Sequence, residues 1–423
     1  MQNDCFPNAT SEWKKAPVSA LAEQNPRYVV KRGKEYAFIE MASVGENFRG
    51  VLNLDTRRME GSGLSRFKAN DTLFAKITPC PENGKVAFVQ SLPTEVGLGS
   101  TEFIVLSPRG DTAPRFLFHL VCSHSVRGRA SARMEGSTAR QRVPDDVFDR
   151  RLLVPIPNSD EQTAIAGILD SVDTAIDRAR EAVTAAQIAR RALMQAAFNY
   201  EMTDEPRRDS HAGIIPKSWD PLKGKQMFSV LTGGNSSVYA LKPLRDDDES
   251  DAWFMKVDDF NLPANARRIV TTQIGFVAHK NPRFKLVPTG TIVIAKRGEA
   301  IVKNRVRTTA VPVALDPNLM ALQVRDDVMP EFFRNQLEYR NLARYVESSG
   351  VPQLNNKDLY PRWFVRAPEE QQKEIVAVIA AAERHEDALR EKVAVLETLK
   401  KSLMHDLLTG TVRVTDCDLN PPP

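Results

Sequence analysis

Cysteine is scarce in this chain. Only Cys5, Cys80, Cys122 and Cys417 occur among 423 residues. No two of them form a C-x-x-C pair, and none stands at metal-ligand spacing from one of the six histidines. This excludes a redox or zinc-ribbon motif and points to a reduced, cytoplasmic protein without a structural metal or cofactor. Long apolar runs are also missing. Nothing approaches the roughly 20 residues of a membrane span. The opening MQNDCFPNATSEWKK is polar and acid-containing, with no signal-peptide core. No phosphate loop is present. CPENGKV has Pro79 where the leading glycine should stand and Val86 in place of Ser or Thr. No Ser/His/Asp or paired-carboxylate set stands out. Asn420, followed by three prolines, lacks the aromatic that an amino-methylating Asn-Pro-Pro motif needs. The chain reads as non-catalytic.

What is present is ordinary in amount. Hydrophobic residues make up 42% and charged residues 26%, with a formal net charge of +4. These values fit a globular protein long enough for two or three domains. The mild basicity permits nucleic-acid binding without demonstrating it.

The organising feature is an internal repeat. REAVTAAQIARRALM, Arg180 to Met194, is echoed by REKVAVLETLKKSLM, Arg390 to Met404. Ile165 pairs with Ile375, Asp177 with Asp387, Val183 with Val393 and Leu193 with Leu403, always 210 positions apart. The periodicity is helical. Sevens from Ile165 give Val172, Ala179, Ala186 and Leu193. Sevens from Ile375 give Ala382, Leu389, Leu396 and Leu403. The offset seam Ile168, Ala175, Ala182, Ala189 and Ala196 is apolar in the first copy. In the second it is broken by His385, Lys392 and Asp406. Two helices of roughly 40 residues, about 60 Å each, are expected.

The segments before the helices echo each other more faintly. Ala75-Lys76 matches Ala295-Lys296, and Gly84-Lys85-Val86 matches Asn304-Arg305-Val306. Gln141 stands opposite Gln353, Asp146 opposite Asp358, and Trp13 and Trp219 open the two halves. TLFAKI, KVAFVQ, EFIVLS, TIVIAK and ALQV read as strands. APRFLFHLVCSHS and MPEFFRNQLEYRNLARYV read as helices with proline in the first turn. The run from Arg245 to Asp251 reads as a solvated loop.

The expected fold class is α+β: two similar globular domains separated by two long antiparallel helices, a pseudo-two-fold dumbbell. The boundaries are 1–156 for the first domain, 157–203 for the first helix, 204–366 for the second domain, 367–410 for the second helix and 411–423 for a tail. Two similar domains at fixed spacing suit duplex DNA, whose half-sites recur about one turn, roughly 34 Å, apart.

The order of motifs resembles the DNA specificity subunits of type I restriction–modification systems. DTLFAKITPCPENGKVAFV, STEFIVLSP and SSGVPQLNNKDLYP carry the resemblance. So do the helix openings PNSDEQTAIAGILDSVD and PEEQQKEIVAVI, and the ending KKSLMHDLLTG. GSTARQRVPDDVF is a weaker match to the pre-helix pattern than SGVPQLNNKDL. The resemblance implies two target-recognition domains, each reading one half of a split, asymmetric double-stranded DNA target. It implies that the helices act as a ruler and as the dock for two methyltransferase subunits. Those subunits carry S-adenosylmethionine and methylate adenine. Motor–endonuclease subunits join them for ATP-dependent restriction.

The candidate DNA contacts are the basic clusters. In the first domain they are Arg57, Arg58, Arg66 and Lys68, then Arg127, Arg129, Arg133, Arg140 and Arg142 in a Gly/Ser-containing loop, the foremost candidates for phosphate. In the second they are Lys296, Arg297, Lys303, Arg305 and Arg307, with Asn304 as an amide able to hydrogen-bond adenine. Gln353, Asn355 and Asn356 read rather as turn-fixing amides. The helix-spacer positions are Ile165, Val172, Leu193, Ile375, Leu389, Leu396 and Leu403. Any one of the charges also fits a solvated surface, and Lys76 and Lys296 fit strand ends. A coiled-coil adaptor that binds only proteins, and a self-contained methylase or nuclease, are the competing readings.

Overall fold

The computed structural model describes residues 4–61, 63–137, 140–150, 152–232, 241–242, 249–346 and 352–414. The chain divides into two compact units. One is Met1–Glu181 with Arg390–Pro423, the other Ala182–Leu389. Each unit therefore owns a globular part and half of each long helix.

In the first unit, strands Ala22–Gln24, Phe103–Pro108, Thr72–Ala75 and Val86–Phe88 form an antiparallel sheet in that order. The period of two divides its side chains cleanly. Phe74, Ile104 and Leu106 face the helix Pro114–Cys122, joining Phe116, Leu117 and Leu120. Leu73, Ala75, Phe103 and Val105 face the other way, into a core with Ile39 and Phe67. Both faces are covered, so all four residues of Thr72–Ala75 are buried. A second sheet orders Asp55–Arg58, Glu35–Ile39, Gly97–Gly99 and Ser65–Phe67. Strand Lys14–Pro17 pairs with Leu153–Ile156.

The second unit repeats this plan. Phe228–Thr232, Leu319–Val324, Ile292–Ala295 and Val306–Thr309 occur in the same sheet order, extended by Arg268–Ile269. Ala252–Met255 pairs in parallel with Val313–Leu315, as Glu35–Ile39 does with Gly97–Gly99. Asp220–Lys223 pairs with Trp363–Arg366. The expected strands are all present. The helix expected from Met329 to Val346 stops at Arg340, because Asn341 has φ 64° and a 3-10 turn follows.

The long helices run Ser159–Phe198 and Glu369–Thr409. Their first turns carry Asp160 and Glu161, and Glu369 and Glu370, which favour the positive end of the helix dipole. Within each unit the helix halves are antiparallel. In the first, Asp173 meets Lys400 at 2.5 Å and Arg180 meets Glu397 at 2.7 Å. In the second, Gln187 and Arg190 both meet Glu386 at 3.3 Å.

The apolar seam is narrower than the heptads predict. Ile165 and Ile375 are buried, each in the core of its own unit. Val172, Leu193, Leu389, Leu396 and Leu403 are only half-buried. The inward face of the second helix carries Glu383, Glu386 and Lys400 instead, all buried. In the first helix Leu169 and Ile176 are buried where Ile168 and Ala175 are expected. A straight helix repeats every 3.6 residues rather than 3.5, and each half-helix must also serve its own globular part.

Candidate nucleic-acid interface

Each globular part is fastened to its helix start by the same lock. The Trp13 indole N–H donates to Glu161 Oε2 at 3.0 Å, and that of Trp219 to Gln371 Oε1 at 2.6 Å. Gln162 Oε1 accepts from the Ala113 amide at 3.1 Å while its Nε2 donates to the Pro157 carbonyl. Gln372 Oε1 accepts from the Met329 amide at 2.8 Å while its Nε2 donates to Asp327 and Ala367 carbonyls. Both glutamines are buried and satisfied at both ends of the amide. The DEQ and EQQ openings thus have a structural cause: they orient the domain on its helix.

The junction before each helix is also repeated. Ile77 bridges Arg142, and Arg297 bridges Gln353. The Val143 amide donates to the Lys76 carbonyl, and the Leu354 amide to the Lys296 carbonyl, both at 2.9 Å. The pairing of Gln141 with Gln353 is thereby corrected by one residue: Arg142 occupies the matching place. A one-residue deletion in the connecting turn hides this from a gapless comparison. Lys76 and Lys296 stand at strand ends, and Lys76 pairs with Asp145 at 2.7 Å. The Asn355 amide donates to Asp358 at 2.7 Å, so that segment does fix a turn.

The basic candidates fall into distinct groups. Arg57 and Arg58 lie on the exposed edge strand Asp55–Arg58. Arg57 covers the Phe38 ring at 4.7 Å, and Arg58 Nε donates to the Gly33 carbonyl. Arg66 donates to the Tyr28 carbonyl at 2.8 Å. Lys68 lies over the Tyr28 ring and pairs with Glu95. Arg58, Arg66 and Lys68 touch one segment, Arg27 to Lys34, and Arg57 lies beside it. Its own Arg27, Lys31, Arg32 and Lys34 are exposed and absent from the predicted set. Their signal was available: ten residues from Asn25 to Lys34 hold four cations and no acid.

The run from Arg127 to Arg142 is not a single loop. Arg127 and Arg129 belong to the helix His124–Ser131, capped by Ser123 and anchored by buried Val126 and Ala130. Arg127 donates to the carbonyls of Pro81 and Glu82, both at 2.9 Å. Arg142 is paired with Glu102 at 2.8 Å. Burial would raise the Asp4 carboxyl, but the Lys15 and Phe6 hydrogen bonds, with a smaller contribution from Arg129, hold it below its usual range. Arg133 is half-buried and Arg140 exposed. Much of this charge serves the fold, because acids and carbonyls distant in sequence come to meet it.

In the second unit, Asn304 turns inward. Its Nδ2 donates to the Glu338 carbonyl at 2.7 Å, and its Oδ1 accepts from the Leu342 amide at 2.9 Å. It occupies the left-handed region, φ 51°, as its counterpart Gly84 does at φ 70°. Arg307 donates to the Asn265 and Val306 carbonyls, and burial pulls its guanidinium down to about 10. Neither presents a free polar head outward. Lys303 pairs with Glu299 at 3.2 Å, one helical turn away. Arg297 is exposed, and Lys296 and Arg305 are half-buried.

A half-buried polar knot around the buried His119 joins the first globular part to its helix. His119 Nε2 lies 2.7 Å from Asp170 Oδ1, and Arg115 Nε donates to the same carboxylate at 2.9 Å. Asp173, close by, is held by Lys400. Burial drives the His119 imidazole below its ordinary value, against the hydrogen bond with Asp170, which favours its charged form. Burial would raise Asp170, but the His119 and Arg115 hydrogen bonds outweigh it and leave the carboxyl at about 2. His119, Asp170 and Asp173 lie near enough to surround a cation. Arg115 and Lys400 already supply that positive charge.

Among the described residues, no helix is long and apolar enough to cross a membrane. No protein-family model matches the chain. Two curated relatives from Escherichia coli are the Type I restriction enzyme EcoEI and EcoAI specificity subunits, 25% and 26% identical over 234 residues. The matched region is 54% of this chain but only 38% of either relative, so the chain spans well under half their length. Solved structures share the fold across nearly the whole chain. One, from a study of assembly and conformational transition in the type I R-M system, has a TM-score of 0.58 at 16% identity. It covers 96% of this chain and 99% of its own. The S subunit from M. genitalium has a TM-score of 0.56 at 14% identity, covering 95% and 97%. The resemblance read from the motifs is therefore found again in sequence relatives and in fold.

Proposed function

We propose that this chain is the DNA-recognition subunit of a type I restriction–modification complex and has no catalysis of its own. Residues 1–156 and 204–366 each read one half of a split double-stranded DNA target. The helices in 157–203 and 367–410 set the unread gap and dock two methyltransferase subunits. Motor–endonuclease subunits join the assembly in the cytoplasm. Phosphate contacts supply affinity and base-edge contacts supply sequence. The observation that carries this reading is the doubled lock between a globular part and a long helix. Two differently sequenced heads on one repeated joint suit two unlike half-sites.

The test is a methylation map. The chain is co-expressed with its host's DNA adenine methyltransferase subunit, and N6-methyladenine is located base by base. A split motif, two short unlike halves around a fixed gap, supports the reading. Exchanging residues 206–365 for those of a relative then changes one half only. A complex that forms but marks no split motif sinks it and favours a protein-only adaptor.

A further inference from the structure

Val29 is 86% exposed. Its neighbours show that this is a constructed position rather than a loose end. Tyr28 and Val30 turn inward against Tyr36, Phe38, Met59 and Leu98. The backbone is pinned on both sides. The Tyr28 carbonyl accepts from Arg66 at 2.8 Å, and the Lys31 amide donates to the Tyr36 hydroxyl at 2.8 Å. The Tyr28 hydroxyl bonds Asp71 at 3.1 Å and Ser107 at 3.0 Å. Beyond the tip, the Gly33 amide donates to Met59 at 2.8 Å and the Met59 amide returns to Lys34 at 2.9 Å. Gly33 takes φ 81°, which lets the chain turn back there. The segment is irregular rather than a strand, yet these bonds and the inward Tyr28 and Val30 hold one apolar side chain outward between them.

The setting of this side chain is cationic. Arg27, Lys31, Arg32 and Lys34 are exposed around it. Arg57 and Arg58 lie on the adjoining edge strand, which pairs with a neighbour on one side only. The first acid after this stretch is Glu35, whose register partner is Arg58. Protein-binding surfaces disfavour lysine at their centre and gather aromatics. Glu95 answers Lys68 and Lys34, which leaves Arg27, Lys31 and Arg32 as the exposed cations nearest Val29 in the chain, and such a tip suits a groove walled by phosphates. In the major groove the apolar feature is the thymine C5-methyl.

We infer that the Arg27–Lys34 tip enters the major groove of the target, with Val29 packed on a thymine methyl and Lys31 and Arg32 on flanking phosphates. The inference rests on the DNA-recognition reading above and assigns its specificity contact in the first unit.

The experiment uses the full chain assembled with its methyltransferase subunit, on duplexes carrying the mapped target. Each thymine is replaced in turn by deoxyuridine, which removes only the methyl. One position should weaken wild-type binding about fourfold, the worth of roughly one buried methyl group. Val29→Ala should bind the thymine duplex more weakly and lose that penalty. Lys31→Ala and Arg32→Ala should weaken all sequences alike and each lower the salt slope by about one. The three residues are exposed, so these variants keep the fold. A full deoxyuridine penalty in Val29→Ala, or no sensitive thymine in the target, overturns the inference while the DNA reading stands. Variants that lose the methyltransferase subunit but bind DNA normally also overturn it, in favour of a protein contact. A wild-type complex that methylates no split target removes the DNA reading and this inference together.

Discussion

Asp173 on the first long helix and Lys400 on the second meet at 2.5 Å, and the repeat places Glu383 opposite Arg190 at 3.9 Å in the matching position. An acid on one helix and a base on the other thus recur at corresponding points of the two units. Lys400 is 11% exposed and Asp173 28%, and the Lys400 ammonium also lies 5.9 Å from the Phe48 ring centre. Lys400→Ala leaves a half-buried carboxylate without its partner and should cost about 1–3 kcal/mol. Adding Asp173→Asn should recover part of that loss. Urea denaturation across the double-mutant cycle measures the coupling.

Acid should weaken the first unit in two separate windows. His119 has a folded value below its ordinary 6.5, because burial disfavours its charged form. The unfolded chain then binds the extra proton first, so stability falls as the pH drops below about 6.5. Asp170 is held at about 2, against an ordinary 3.8. Its contribution is complete above that ordinary value and disappears as the pH falls toward 2. The charged groups facing His119 are Asp170, Arg115 and Lys400. His119→Gln should remove the first window and narrow the second, which then rests on Arg115, as read by urea midpoints at pH 7.5, 5.5 and 3.

Trp219 is 1% exposed and packs edge-on against Tyr200 and Phe332 while its N–H reaches Gln371. Trp219→Phe removes the hydrogen bond and part of the ring and should cost about 1–3 kcal/mol. Trp219→Ala should cost about 3–5 kcal/mol. Thermal melts of the two variants separate the lock from the packing.

Asn304 combines a left-handed backbone with two inward hydrogen bonds. Asn304→Gly keeps the backbone, whereas Asn304→Ala loses both features. The alanine variant should be less stable than the glycine variant by about 1 kcal/mol. On the DNA-recognition function proposed above, neither should alter the half-site assigned to the second unit at permissive temperature. A changed half-site in the methylation map would return Asn304 to the DNA surface.

Strands, repeat and long helices were legible because period and composition are local properties. Thr72–Ala75 and Ile292–Ala295 read as strands from three and four consecutive apolar residues in short runs bounded by turn formers. The character of the helix seam was not legible. Heptad counting makes Leu389 and Leu396 core, but the buried positions nearby are Glu383, Glu386 and Lys400, whose partners lie on other elements. The same limit governed the cations. Arg142 and Arg307 look identical to Arg57 until Glu102 and the Asn265 carbonyl are brought to them by the fold. The outward turn of Val29 has no counterpart in the sequence, because a single valine carries no period; only the four cations of Asn25 to Lys34 mark the segment.

The lock has a consequence for how such a chain can change. Trp13 and Trp219 are 206 positions apart, Ala75 and Ala295 are 220, Ala113 and Met329 are 216, and Gln162 and Gln372 are 210. The second copy has gained and lost residues between these anchors, yet every anchor makes the same contact as its twin. Insertions and deletions are thereby confined to the stretches between fixed points. New loops can be tried on either head without renegotiating the joint that carries it.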